Sequence, residues 1–395
     1  MDIHKLHEDL ELIFPKMIEI RRDFHMHPEI SFQEVRTPKI IADYLENLGL
    51  EVRKGVGGRG VVGILRGGKK GKTIALRADF DALPIQDEKE VTYKSTISGA
   101  MHACGHDGHT ATLLGVATIL AKYKEKIKGN VVFIHQFAEE LPPGGARSMI
   151  EDGCLDGVDV IFGAHLQGGL PVGEVFYREG YTMAASDFFE IKITGKGGHG
   201  ASPHLTVDSL VTASQLVLNL QQIVSRKVNP VNPAVLSVGA FNSGSALNVI
   251  PEGAYIGGTI RTYDSDTRDL MENELKKLAL ATCQLSGATC EVVYDRGYDA
   301  VWNHPNETNF IRKIASGVVG DENVKERELG MGSEDFAYYL NEVPGSYFFV
   351  GAKLEEPDLV YPHHHPRFDF DESAMLITAK VFVSAVLSFN EENSK

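Results

Sequence analysis

Between Met101 and His109 the chain carries three imidazoles, a thiol and a carboxylate: His102, Cys104, His106, Asp107 and His109. Imidazole and thiolate are favoured donors for zinc and its first-row neighbours. On extended backbone Cys104 and His106 share a face. A buried helix start capped by Asp107 would use the same residues for structure alone. Four other segments weigh on that choice. Glu139 and Glu140 follow an apolar run and precede Leu-Pro-Pro-Gly-Gly, so one carboxylate could ligate while the other moves protons. The plain alternative is a solvated acidic turn. His165 ends the apolar run Val-Asp-Val-Ile-Phe-Gly-Ala-His. Asp79 and Asp81 stand two apart, where one could ligate or hold a histidine by its second nitrogen. His363, His364 and His365 precede Pro366, which favours extended backbone before it; either the middle imidazole or the outer pair then faces a site.

Those segments need elements to bring them together. Residues 2–23 read as an amphipathic helix containing Pro15, and a second helix spans about 37–48 before Gly49. Short β-rich runs follow at 60–66, 72–79, 130–140 and 158–165, with a helical pattern at 109–124 between two of them. This is α/β alternation, with several strands apolar on both faces. Asp79/Asp81, Glu139/Glu140 and His165 all sit at strand ends, where open α/β sheets gather their ligands. From residue 183 the texture changes to alternating strands and two amphipathic helices, an α+β unit with an antiparallel flavour. The α/β texture returns near 299. The simplest organisation is a catalytic domain of residues 1–182 and 299–395 interrupted by a smaller one at 183–298.

Composition narrows the class of function. The 395 residues carry 39 Lys and Arg against 54 Asp and Glu, a formal charge of −15. That surface disfavours nucleic acid and anionic membranes as partners. Read for length alone, no apolar stretch approaches a membrane span. The charged N-terminus lacks the apolar core of a secretory signal, and four cysteines are too few for a disulfide scaffold, so the cytoplasm is the expected compartment. Gly195-Lys-Gly-Gly-His-Gly200 matches the dinucleotide fingerprint by spelling. However, Pro203 intervenes before the helix and no acid lies between Asp208 and Glu252, so a nucleotide fold is rejected.

Taken together, RRDFHMHPEISFQE (21–34), RADFDALP (77–84), MHACGHDGH (101–109), QFAEE (136–140), GAH (163–165), GKGGHGASPH (195–204), LNVIPEGA (247–254), GTIRT (258–262), GSEDFA (332–337) and HHHPRFDFDE (363–372) give a family resemblance that runs through nearly the whole chain. It resembles the two-metal peptidase family of aminoacylases and glutamate carboxypeptidases. Its nearest likeness is to the amidohydrolase branch that includes hippurate, indole-acetyl-amino acid and N-acetyl-diaminopimelate hydrolases.

The resemblance implies a zinc-peptidase-like α/β catalytic domain, its mixed sheet flanked by helices, with an inserted α+β lid or dimerisation domain. It implies two divalent metals per subunit, Mn first and Zn, Co or Ni as alternatives, held by Cys104, His106, Glu140, His165 and His364. Cys104 takes the place of a bridging carboxylate, and His364 is chosen by its H-x-P register before Pro366. Glu139 becomes the general base and Asp81 the residue aligning the site. His199 would donate to the oxyanion, and Asn248 and Arg261 would hold the substrate carboxylate. The implied activity is hydrolysis of N-acyl amino acids by a homodimer or higher oligomer. Rival readings are a cysteine-nucleophile amidase pairing Cys104 with His102 or His106, a carboxypeptidase or dipeptidase of the same family, and a non-catalytic scaffold.

Overall fold

Runs that are apolar on successive residues become strands covered on both faces. The computed structural model describes residues 2–392. Its largest sheet opens with β1 (Glu51–Val56), which is mostly exposed, and continues through β2 (Gly60–Arg66), β3 (Ile74–Asp79), β4 (Asn130–Gln136) and β5 (Val160–Gln167), which are mostly buried. The order across the sheet is β1-β2-β4-β3-β5, followed by Gly345–Gly351, Val175–Tyr177 and Val324–Glu326. β3 runs parallel to β4 and β5, and β5 parallel to Gly345–Gly351, whereas β1–β2 and β2–β4 are antiparallel. The sheet is therefore mixed. In register, Asp79 lies opposite Gln136 and Arg77 opposite Gly163, so the carboxyl ends of β4, β3 and β5 open on one edge. β4 stops at Gln136, short of the run read from sequence, because Ala138 turns into left-handed backbone at φ 49°.

Helices cover this sheet. α1 (Ile3–Met26) is capped by Asp2, whose side chain accepts from the His4 amide; Pro15 sits inside it without ending it. α2 (Arg36–Asn47) closes ahead of Gly49, whose φ of 79° suits glycine. α3 (His106–Lys122) is buried over nearly its whole length, with Leu113, Leu114, Val116 and Leu120 removed from water. Each such side chain contributes roughly 1.5–3 kcal/mol by burial, so α3 is anchored firmly and its first turn is a rigid mount. The helix Ser373–Glu392 corrects one expectation. It is long and apolar enough to cross a membrane by length and composition, with mean hydropathy 1.5. Thr378, Lys380 and Ser384 break up the run in the sequence. Two-thirds of it (67%) is buried in this unit, where Phe382 packs on Phe348 and Phe389 on Phe162 and Phe310.

The chain divides into two compact units. The one described so far comprises Met1–Thr182, Val301–Glu328 and Asp335–Lys395; the other comprises Met183–Ala300 and Leu329–Glu334. The second unit is an antiparallel sheet in the order Val235–Ser243, Gly253–Thr262, Ala185–Thr194, Thr289–Arg296. Alternation in Ala185–Thr194 turns Phe189, Ile191 and Ile193 into a core shared with Leu216 and Leu220 of helix Ser209–Arg226 and Leu275 of helix Ser265–Ser286. Asp208 and Asp264 cap those helices. The unit ends at Ala300 where the sequence texture ended at 298, and a later segment returns to it. Gly332 accepts from the Ala184 amide at 2.8 Å and Gly330 from the Tyr263 hydroxyl at 2.8 Å.

Candidate metal and catalytic site

The open edge of β4-β3-β5 collects the residues singled out by type and spacing. Asp79 ends β3 and Asp81 follows it; Glu139 and Glu140 follow β4; His165 lies near the end of β5. His106 is the first residue of α3, after Gly105 at φ 93°. His364 is brought in by its own left-handed backbone (φ 66°) and by its amide, which donates to the Ala103 carbonyl at 2.8 Å.

Two sets of donors meet at one sulfur. Cys104, His106 and His165 offer atoms that all lie within 4.8 Å of one another, and so do Cys104, Glu140 and His364. Donors bound to a common ion at about 2.0–2.3 Å stand roughly 3–4 Å apart. Here Cys104 Sγ is 3.4 Å from His165 Nε2, His106 Nε2 is 3.7 Å from Glu140 Oε1, and His364 Nε2 is 3.3 Å from Glu140 Oε1. Glu139 Oε2 stands 3.9 Å from His106 Nε2, beside both sets.

The hydrogen bonds behind these groups aim their lone pairs inward. His165 Nδ1 donates to the Leu166 carbonyl at 2.8 Å, which leaves Nε2 as the bare nitrogen facing Cys104. His106 Nδ1 lies 3.1 Å from both the Asp81 carbonyl and Asp81 Oδ1, which directs its Nε2 to the acids. Asp81 Oδ2 accepts from the Glu140 amide at 3.0 Å and from the Ser31 hydroxyl at 2.7 Å. His106 Nε2 and Glu140 Oε1 are buried and make no hydrogen bond of good geometry. Two buried, unsatisfied polar atoms facing each other are costly in a protein interior unless a third group joins them. A soft sulfur, imidazoles and carboxylate with those two atoms left over fit divalent cations.

The electrostatics agree. Burial would lower the His106 imidazole, but the Asp79 charge and the Asp81 bond prevail and push it up to about 10. Burial, with Glu140 and Glu139 nearby, raises the Cys104 thiol well above its ordinary value. Burial lowers His165 well below its usual value. Burial opposes ionisation of Asp81 too, yet the His106 bond holds it low. The chain's own charges thus call for positive charge at this spot, which a proton on His106 supplies in part. Bound cations would displace that proton and invert the thiol's preference.

Not every candidate in the dense motif faces the site. His109 is fully engaged: Nδ1 bonds Asp79 Oδ1 at 2.6 Å and Nε2 accepts from the Leu166 amide at 3.0 Å. It holds Asp79, which Arg77 also grips at 2.6 Å. Asp107 binds inward to Arg21 (2.9 Å) and His25 (2.7 Å). His102 is buried beside His25, their ring centroids 6.3 Å apart. Among the three histidines before Pro366, only His364 joins the donors. His363 turns to Phe368 and accepts from the Gly168 amide, while His365 stacks on Tyr361. His199, Asn248 and Arg261 belong to the second unit. Within it, His199 pairs across a two-residue ladder with Val249, and the Asn248 carbonyl accepts from the Gly200 amide at 2.8 Å, so these two are neighbours. Arg261 lies on Gly253–Thr262, its guanidinium 5.8 Å above the Phe188 ring. Ser31 carried no assigned role in the sequence, although it lies in a quoted motif; nothing local marks a serine as a partner for an aspartate fifty residues away.

Comparison with known proteins fits this geometry. The family described as Peptidase family M20/M25/M40 matches residues 75–388. The chain is 51% identical over 387 residues, 98% of each chain, to a Bacillus subtilis protein described as "Putative amidohydrolase YhaA". It is 40% identical over 393 residues to the N-acetyl-L-cysteine deacetylase of Bacillus subtilis, covering 98% of this chain and 91% of that one. Among solved structures it superposes on the Bacillus subtilis YXEP protein, described as a dinuclear metal binding peptidase, with TM-score 0.81 and 35% identity over 96% of this chain and 99% of that one.

Proposed function

The chain belongs to peptidase family M20/M25/M40, and from that premise we propose that it is a metal-dependent amidohydrolase that cleaves N-acyl amino acids. The observation that carries the reading is the single sulfur of Cys104 shared by two donor sets, with Glu139 outside both but grouped with His106 and Glu140, one member of each. Cys104, His106, Glu140, His165 and His364 would hold two divalent ions, with Mn the first choice for a site that mixes thiolate and carboxylate and Zn next. When bound, the ions supply Lewis acidity, which makes water acidic near neutral pH and polarises an amide carbonyl.

The chain's residues supply the rest. Glu139 takes the proton of the attacking water and returns it to the leaving nitrogen. Asp81 fixes the His106 ring and, through the Glu140 amide, the position of the acid pair. From the second unit, His199 would donate to the developing oxyanion, while Asn248 and Arg261 would hold the free carboxylate; the planar guanidinium suits a bidentate partner. A homodimer built through that unit belongs to the same proposal. It is supported by its edge strand Val235–Ser243 and by exposed Phe241 and Val249. Cytoplasmic residence is supported by four free cysteines, one of them needed as a thiolate.

One observation favours a second reading. The 3.4 Å approach of Cys104 Sγ to His165 Nε2 has the form of a thiol–imidazole dyad, with His165 as the partner in place of His102 or His106. Against it, burial and the two glutamates hold the thiol protonated in the absence of a cation. Chelation decides between the two. EDTA treatment should abolish hydrolysis of acetyl-, benzoyl- or indole-acetyl amino acids, and Mn or Zn should restore it. Full activity after metal removal would assign the chemistry to the thiol, and faster cleavage of free dipeptides than of acyl amino acids would move the substrate class to peptides.

A further inference from the structure

The link between α1 and α2, His27-Pro-Glu-Ile-Ser-Phe-Gln-Glu34, reaches both acid-bearing loops of the site. Its backbone is tied to the loop after β3: Ile30 bridges Ala82 in parallel, and the Glu29 carbonyl accepts from the Ala82 amide at 2.9 Å. Its Ser31 hydroxyl donates to Asp81 Oδ2 at 2.7 Å. On the other side it grips the segment just before the acid pair. Phe32 meets Phe137 edge to face, with ring centroids 5.8 Å apart, and Glu34 Oε1 accepts from the Ala138 amide at 3.0 Å. Ala138 is in left-handed backbone at φ 49°, as is Phe32 at φ 65°. Side chains with a Cβ disfavour that conformation, so something nearby must hold it. For Ala138 the holders are Glu34 at its amide and the Gly145 amide at its carbonyl, 3.1 Å away. Glu34 is itself fixed, since its carbonyl accepts from Arg59 and its side chain is almost wholly buried.

We propose that Glu34 is a positioning residue for the catalytic carboxylate: by accepting the Ala138 amide it holds the turn that aims Glu139, while Ser31 holds Asp81 from the same segment. The inference rests on the role given to Glu139 above. Without an acceptor at position 34 the Ala138 amide is buried and unpaired, and residues 137–139 relax toward ordinary backbone, while the Glu140 amide stays anchored on Asp81 Oδ2. Glu139 then leaves its working position although no donor to the metals has been altered. A displacement of about 1 Å at a reacting group can cost on the order of 100-fold in rate.

The test compares Glu34→Ala with Glu34→Gln, whose amide oxygen can still accept the Ala138 amide, in the Mn-loaded full chain. Glu34→Ala should lose about 10- to 100-fold in kcat, with KM and metal content within about twofold of the parent. Glu34→Gln should recover most of the loss. In a Glu139→Gln background, Glu34→Ala should cost less than about twofold further, because it acts through Glu139. Amide exchange across residues 136–141 should quicken in Glu34→Ala and not in Glu34→Gln; that readout stands even if the parent hydrolyses no acyl amino acid, an outcome that would sink the proposed function instead. If Glu34→Ala does not fold, Ser31→Ala carries the same expectation for kcat at unchanged metal content. Parental kcat in Glu34→Ala, a loss that follows metal content, or equal damage from Gln and Ala would overturn the proposal.

Discussion

At the scale of the residue, the proposed chemistry gives Cys104 and Glu139 different tasks. Cys104 is the atom both donor sets share, so its removal should affect both ions together. Cys104→Ala should bind markedly less Mn per subunit by metal analysis, whereas Cys104→Asp, which brings two oxygens able to span two ions, should retain more than Ala does. Equal and full occupancy in both variants would remove the sulfur from the ligand set. Glu139 sits 3.9 Å from His106 Nε2 on the edge of that set. Glu139→Gln keeps the side chain's shape and removes its basicity. It should hold both metals and lose about 100- to 10,000-fold in kcat, the usual span for a general base; a variant with most of its turnover would return the role to another group. The candidate donors were legible in the sequence as a dense cluster of Cys, His and Glu, whereas the separate roles proposed for Cys104 and Glu139 came from the family resemblance. The choice of His364 was legible only from the motif register, since a run of three histidines has no internal preference. In the structure His364 has left-handed backbone and its Nε2 comes within 3.3 Å of Glu140 Oε1, while the His363 ring lies against those of Phe368 and His165 and the His365 ring stacks on Tyr361.

At the scale of the element, the site depends on rigid mounts, and these contain polar groups buried for reasons other than catalysis. His135 lies inside β4, pairing with Ala78 of β3 and Val61 of β2, and its Nδ1 meets Thr110 Oγ1 at 2.5 Å. Its Nε2 is buried without a partner, and burial lowers the imidazole to about 3. The unfolded chain would titrate near 6.5, so between these values the unfolded state binds the extra proton. The contribution of His135 to stability is complete above pH 6.5 and is lost as pH falls from 6.5 toward 3, by about 1.4 kcal/mol per pH unit. His135→Asn, which cannot titrate, should therefore lie closest to the parent in unfolding free energy at low pH. Urea denaturation at pH 7, 6 and 5 should show its deficit shrinking at about that slope; a deficit independent of pH would mean that His135 is not the buried neutral group described. The strands themselves were legible as apolar runs, and so was the gathering of acids at their ends. What could not be read was the end of β4, because the left-handed turn at Ala138 is imposed by Glu34 and Gly145 from elsewhere in the chain. The overall apolarity of the C-terminal helix escaped for a different reason: Thr378, Lys380 and Ser384 interrupt its apolar run, so its mean hydropathy stands out only over the helix as a whole.

At the scale of the whole molecule, every proposed metal donor lies in one of the two compact units, drawn from residues 104–165 and from His364. The other unit has its own core of Phe189, Ile191, Leu216, Leu220, Ile256 and Leu275. The change of texture at residue 183 coincides with the start of this unit at Met183, whereas the return of Leu329–Glu334 could not be read, since Leu-Gly-Met-Gly-Ser-Glu carries no periodicity. The division has a consequence for metal removal. A ligand that binds only the folded state adds stability in proportion to the logarithm of its concentration over its dissociation constant. That stabilisation should fall on the elements that hold the ligand, in keeping with the unequal local stability of folded chains. After exhaustive chelation at pH 7, hydrogen exchange should quicken at the carboxyl ends of β3, β4 and β5 and in the first turn of α3, where Cys104, His106, Glu140 and His165 lose the charge that joins them. Peptides from Ala185–Thr194, Ser209–Arg226 and Ser265–Ser286 should exchange as before. Uniform quickening across both units would mean that the metals stabilise the chain as one cooperative body. No change at the strand ends would mean that Cys104, His106, Glu140 and His165 hold their positions without a cation, leaving their mutual repulsion and unpaired atoms to be balanced by the protein alone.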